Sequence, residues 1–108
     1  RSRASFKLKQ IIDEYRIIKL GDSVLDIGCA PGGWLQVASQ YVGNSGMVLG
    51  VDLKPVEDLE LENVKTCVLN VFDEDFTNKV MRISGGKFDV VLSDLSPNMS
   101  GIYEIDHA

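Results

Sequence analysis

The stretch Asp26-Ile27-Gly28-Cys29-Ala30-Pro31-Gly32-Gly33-Trp34 decides the fold of this 108-residue chain. The strand-like run Ser23 to Ile27 leads into it, and a helical pattern from about Trp34 to Tyr41 leads out. Strand, tight glycine turn and helix form the opening unit of an open α/β sheet. Ligands of such sheets sit beyond the carboxyl ends of the strands, near the point where strand order reverses. Three glycines leave the backbone bare there, so a ligand can come close and a positive φ costs little. The first N–H groups of the following helix point to the same place and favour a carboxylate or phosphate.

On the C-terminal side of this unit, apolar runs alternate with helical patterns. Met47 to Val51 reads as a strand that ends at Asp52, Val64 to Leu69 as a third strand and Phe88 to Leu92 as a fourth. Between the last two, Asp73 to Ile83 reads as a helix with acids in its first turn and Arg82 in its last, as the macrodipole favours. Pro55 and the acidic run Glu57 to Glu62 form a loop, and Ser84-Gly85-Gly86 breaks the helix. On the N-terminal side, Ser5 to Ile18 reads as a helix with Leu8, Ile11, Ile12 and Tyr15 on its inner stripe. The alternation implies βαβ units, right-handed crossovers and a mostly parallel sheet, in a Rossmann-like α/β fold. The expected strand order is three-two-one-four. Strand Phe88–Leu92 is too apolar for a natural edge. Val90 and Val91 should therefore pair on the first-strand side only, with more sheet expected past Ala108.

Length limits the chain to one domain with a small core. Its 44% hydrophobic and 25% charged residues are ordinary for a globular protein. No apolar run reaches the roughly 20 residues of a membrane helix, so no membrane role is expected. Cys29 and Cys67 lack metal-ligand spacing, and no metal site is expected. A reducing, cytoplasmic location fits this cysteine usage. The net charge of −5 hides an asymmetry: residues 1–19 hold six basic and two acidic groups, and residues 20–108 hold five basic and fourteen acidic ones. A basic arm on an acidic body can bind phosphates at one end only.

Asp26, Asp52 and Asp94 stand at or beside strand ends and should gather along one edge of the sheet. Asp52 follows Gly28 by 24 residues, near the distance at which an acid accepts from ribose hydroxyls in nucleotide-binding units. Asp26 would repel a pyrophosphate and suits a ligand with a positive amino group. The aminoacyl end of S-adenosylmethionine is such a ligand.

The Asp26–Trp34 stretch resembles the cofactor motif of the FtsJ/RrmJ family of RNA 2′-O-ribose methyltransferases. Arg1-Ser2-Arg3-Ala4-Ser5-Phe6-Lys7-Leu8 is similar to that family's opening motif, and Ser93-Asp94-Leu95-Ser96-Pro97-Asn98-Met99-Ser100-Gly101 to its motif after strand four. Asp106-His107 fits the family's next positions along the chain. The resemblance implies S-adenosylmethionine as cofactor, with Gly28, Ala30, Pro31, Gly32 and Trp34 around its methionine part and Asp52 on its ribose hydroxyls. It implies that Asp94 lies by the transferred methyl and that Lys7 opens the catalytic Lys-Asp-Lys-Glu set. The family's adenine-contacting acid aligns with Asn70, with Asp73 as the other candidate. Members are about twice this length, so the second lysine and the glutamate would fall beyond Ala108. Residues 1–108 would form the N-terminal, cofactor-binding half of one methyltransferase domain, with 1–19 as a basic RNA-facing helix that carries Lys7.

The implied reaction is methylation of a ribose, that of a uridine, in large-subunit ribosomal RNA or the ribosomal particle, by a monomer. Transfer RNA is the alternative substrate within the family. A nicotinamide-dependent dehydrogenase is the enzymatic rival, which Asp26 and the 93–101 motif oppose. A non-catalytic RNA-binding module is the rival from another class, which Lys7 and Asp94 oppose.

Overall fold

The computed structural model describes residues 3–93. The order of elements is α1 (Arg3–Tyr15), β1 (Ser23–Ile27), α2 (Gly33–Val42), β2 (Met47–Asp52), β3 (Val64–Val68), α3 (Phe76–Ser84) and β4 (Val90–Ser93). The four strands form one parallel sheet in the order β3-β2-β1-β4. The expected order and all four strands are therefore present, and β4 pairs only with β1 among the described residues.

The sheet is covered on both faces, and side-chain alternation along each strand divides its apolar groups between two cores. Under α1 and α2, Leu8, Ile12, Leu35, Ala38 and Val42 pack on Val24, Val48 and Leu92. On the other face, Phe76 and Val80 of α3 pack on Leu25, Leu49 and Val51. Truncating a fully buried leucine such as Leu35 or Leu49 to alanine costs about 2–5 kcal/mol in cores of this kind. Val91 points to the α3 face and stays 39% exposed, because α3 sits over β1 and β2 rather than β4.

Several element ends differ from expectation, each for a local reason. The inner stripe of α1 is Ser5, Leu8 and Ile12, while Ile11 and Tyr15 are exposed. The helix stops at Tyr15 because Arg16 turns to φ 55, and the chain then brings Ile18 into the core. Helix α3 starts at Phe76, so no acid stands in its first turn. Asp73 instead accepts the Asp75 N–H at 2.8 Å, a local turn that competes with helix. Strand β4 starts two residues later than expected because Asp89 uses its carboxylate on the Ser23 N–H, at 2.8 Å.

Two features fix how β2 and β3 sit beside α2. Gly50 leaves room for Leu35 and Cys29: a Cβ there would lie 2.7 Å from a Leu35 methyl and 2.8 Å from the Cys29 sulfur. Asn63 accepts from the Ser39 hydroxyl at 2.7 Å, and its Nδ2 donates to the carbonyls of Ser39 and Gly43 at 3.1 and 3.0 Å. Its own carbonyl accepts the Val48 N–H at 2.8 Å.

Candidate functional site

The carboxyl ends of β1, β2 and β3 meet at one edge of the sheet, where the expected site residues can be placed one by one. Residues 28–32 form the turn between β1 and α2. Gly28 has φ 77 and Gly32 φ 124, conformations that a side chain would strain. The Gly28 and Cys29 N–H groups both donate to the Val51 carbonyl, at 2.8 and 3.2 Å, which ties the turn to β2. Pro31 is exposed and follows a cis peptide bond; Gly32 is buried against Val56 and Leu59 of the loop after β2. Helix α2 then begins without a side-chain cap, so its first N–H groups are not taken by one.

Asp52 ends β2 beside this turn. One carboxylate oxygen accepts the Ala30 N–H at 2.8 Å and the other accepts the Lys54 N–H at 3.0 Å. A carboxylate has about four lone-pair sites, so both oxygens keep capacity for a further donor. These two bonds are a role that the spacing to Gly28 does not suggest: Asp52 holds the glycine turn in place.

Asp26 is fully buried, at 0% exposure, and offers no surface to a ligand. Its effect on the site is through charge. Burial, then the charges of Asp26 and Asp52, push the Cys29 thiol up to about 12, so Cys29 is a neutral, inert sulfur under the turn. Trp34 is half-buried and packs on the core beneath α1 and α2.

A small open cleft lies between the ends of β1, β2 and β3, lined by Gly28, Asp52, Leu53, Asn70 and their neighbours. It gathers three of the expected cofactor residues in one place. Leu53 and Phe72, 65% and 55% exposed, put apolar surface on the same loops. Asn70 and Asp73, the two candidates for the base contact, differ sharply here. Asp73 accepts the Asp75 N–H with one oxygen and pairs with Lys79 at 2.9 Å with the other. Asn70 lines the cleft.

Lys7 is exposed on α1. Residues 94–101 of the 93–101 motif, Asp94 among them, Asp106-His107 and Arg1 lie outside the described residues. Among the described residues no group of His, Cys, Asp and Glu has a metal-binding arrangement, and no helix is long and apolar enough to cross a membrane.

Known proteins resemble this chain in sequence and in fold. Ribosomal RNA large subunit methyltransferase E of Methanocaldococcus jannaschii is 50% identical over 111 residues, covering 100% of this chain and 45% of that protein. The protein of the same name from Methanosarcina mazei is 52% identical over 109 residues, covering 100% of this chain and 39% of that one. The chain thus spans less than half the length of these curated relatives. A crystal structure described as a ribosomal RNA methyltransferase from Plasmodium falciparum superposes with a TM-score of 0.73 at 29% identity, over 99% of this chain and 62% of that one. The profile of FtsJ-like methyltransferases matches residues 1–108, and the chain belongs to that family.

Proposed function

We propose that residues 1–108 are the cofactor-binding part of an S-adenosylmethionine-dependent methyltransferase that acts on a ribose 2′-oxygen of large-subunit ribosomal RNA. The observation that carries this reading is the cleft in which Gly28, Asp52 and Asn70 meet beside a bare glycine turn. The donor set suits the cofactor: a carboxylate for two ribose hydroxyls, an amide for a base edge, and backbone without side chains for the methionine part. The curated relatives, called ribosomal RNA methyltransferases, support RNA as the substrate. A cytoplasmic, monomeric enzyme is the simplest setting for that substrate.

Bound S-adenosylmethionine supplies an electrophilic methyl on a sulfonium. The chain's own residues bind and orient. Asp52 accepts from the ribose hydroxyls while it keeps the turn at Ala30 in place. Ala30, Pro31 and Gly32 shape the backbone wall around the methionine part, and Trp34 packs behind that wall. Lys7, on the exposed side of α1, orients the target hydroxyl or helps remove its proton, and Asp94 acts beside the methyl. In-line approach of the oxygen at about 3 Å is what such positioning secures. Lys9, Arg16 and Lys19, all exposed, belong to the basic segment that meets RNA phosphates.

The test is transfer of tritiated methyl from S-adenosylmethionine to total RNA from an undermethylated source, by a protein that carries residues 1–108 together with the second lysine and the glutamate that the family resemblance implies, with mapping of the modified position. A single labelled ribose in large-subunit ribosomal RNA is expected. Label on a base, on transfer RNA or on no RNA would overturn the substrate assignment.

A further inference from the structure

Helix α1 ends on a residue type that its backbone does not favour. Arg16, just past the last turn, has φ 55 and donates its N–H to the Ile12 carbonyl at 2.7 Å. Glycine or asparagine usually takes that left-handed position, because most side chains are strained there. The chain that follows is held in place: Ile18 is buried, the Lys19 N–H donates to the Asp22 carboxylate at 2.9 Å, and the Gly21 N–H donates to the Val42 carbonyl at 2.9 Å. Arg16 and Lys19 thereby line one groove between α1 and α2, together with Ile12, Asp13, Ile18 and Tyr41. Both cations are exposed, and among the described residues neither makes an ion pair. One Asp13 oxygen accepts the Tyr41 hydroxyl at 2.5 Å, a bond that pushes the Tyr41 phenol up to about 12.

We infer that this groove holds a phosphate of the RNA chain on Arg16 and Lys19, at a nucleotide other than the one that is methylated. The inference rests on the proposed ribosomal RNA substrate and adds a second contact to it. Lys7 stands in the first half of α1 and Arg16 just past its end, roughly 13 Å away along the helix axis. RNA that brings its target hydroxyl to Lys7 can lie along α1 and meet the groove with a neighbouring phosphate. A guanidinium offers paired N–H groups that match two phosphate oxygens, and the lysine adds a point charge. The second Asp13 oxygen disfavours a bare anion, but it can accept from a ribose hydroxyl, which RNA carries beside each phosphate. Arginine at a left-handed position then has a reason: glycine suits that backbone better but brings no charge.

The experiment follows binding of a fluorescently labelled fragment of large-subunit ribosomal RNA by anisotropy over a range of salt, with the same protein as in the methylation test. Arg16→Gly is expected to weaken binding roughly fivefold at about 0.1 M salt and to make the slope of log K against log salt shallower by about 0.7–0.9, the effect of one phosphate contact. Its Tm should change little, because glycine adopts φ 55 without strain, so the lost affinity cannot come from a damaged fold. Arg16→Lys, which keeps the charge, should keep most of the slope. Lys19→Gln, at a position without left-handed backbone, should make the slope shallower as Arg16→Gly does. The inference is overturned if Arg16→Gly and Lys19→Gln bind RNA with the affinity and salt slope of the unaltered protein. It is also overturned if polyglutamate binds as tightly as the RNA and is weakened equally by Arg16→Gly, which would assign the groove to an acidic polypeptide. Methylation of RNA with no effect of either substitution removes this inference alone, whereas an unaltered protein that binds no RNA removes the substrate reading with it.

Discussion

Two turns at the same edge of the sheet are built in opposite ways. The turn at 28–32 is glycine-rich and is held from outside, by the Val51 carbonyl and the Asp52 carboxylate. The segment 70–75 is held by its own side chains, with Asn70 and Asp73 each bonded to the backbone two residues ahead. The difference reflects what each presents. A backbone meant to be approached closely cannot carry side chains, so its restraints must come from a neighbouring strand. A segment that presents a side-chain amide can use side chains to fix itself. The first turn should therefore be sensitive to changes at distant sequence positions, and the second to changes within itself and at nearby Lys79.

The largest effect is expected under the glycine turn. Gly50→Ala places a Cβ 2.7 Å from Leu35 and 2.8 Å from Cys29, so one of them must move. Overpacking of this kind costs about 1–3 kcal/mol. A fall in Tm of at least several degrees is expected, and an unchanged thermal melt would show that the turn is not wedged from below.

Asp52→Ala comes next, since it frees the Ala30 and Lys54 N–H groups at once. Affinity for S-adenosylmethionine should weaken by about 1–3 kcal/mol, the scale of lost hydrogen bonds to a charged group. Asp52→Asn, which keeps one acceptor for Ala30, should lose less. Equal losses in calorimetry would mean that holding the turn contributes nothing to binding.

A milder contrast concerns the thiols. Cys29 is buried with its pKa raised to about 12, whereas Cys67 is half-buried. Iodoacetamide at neutral pH should modify Cys67 and leave Cys29 intact in the folded protein, with mass spectrometry of the peptides as readout. Rapid modification of Cys29 would show that the glycine turn opens readily.

The smallest effect is expected at the self-held segment. The Lys79 hydrogen bond, then the Asp75 N–H, holds Asp73 below the usual carboxylate range, and the Asp73 bond raises Lys79. The Asp73 contribution to stability is present above its unfolded pKa, about 4, and is lost as pH falls through the lower folded value. The Lys79 contribution is present below about 10.4 and is lost as pH rises through its folded value. Both groups are open to solvent, so the effect is small. Asp73→Asn should flatten the acid side of a plot of Tm against pH without moving cofactor affinity; a change in affinity would return Asp73 to the site.

Much of the fold was legible because burial on both faces leaves an unambiguous apolar pattern. Ser23–Ile27 and Met47–Asp52 are strands where Val24, Leu25, Val48 and Leu49 demanded them. Boundaries were less legible where a polar side chain had two possible uses. Asp73 suits a first helical turn as well as a turn of its own, and Asp89 suits a strand as well as a bond to Ser23. Of the site, the gathering of Gly28 and Asp52 could be read from spacing. That Asp73 is taken by Lys79 six residues away could not, since nothing in the sequence records which cation a carboxylate meets. The ties from Asp52 to Ala30 and Lys54 were equally hidden, because nothing in composition or period records which amide a carboxylate accepts.

Asn63 has a consequence for how this fold can change over time. It fastens the end of α2, the start of β2 and the start of β3, while Asp52 fastens the other end of the intervening segment. The residues between are anchored at both ends, and extra length there adds little closure entropy, about 0.6 kcal/mol for each doubling. Within that segment Val56 and Leu59 meet Gly32, whereas Glu60 and Glu62 are exposed. Insertions at Glu60–Glu62 are thus the tolerant place in this half of the sheet, where a descendant could acquire a new surface loop while the cleft beside it stays as it is.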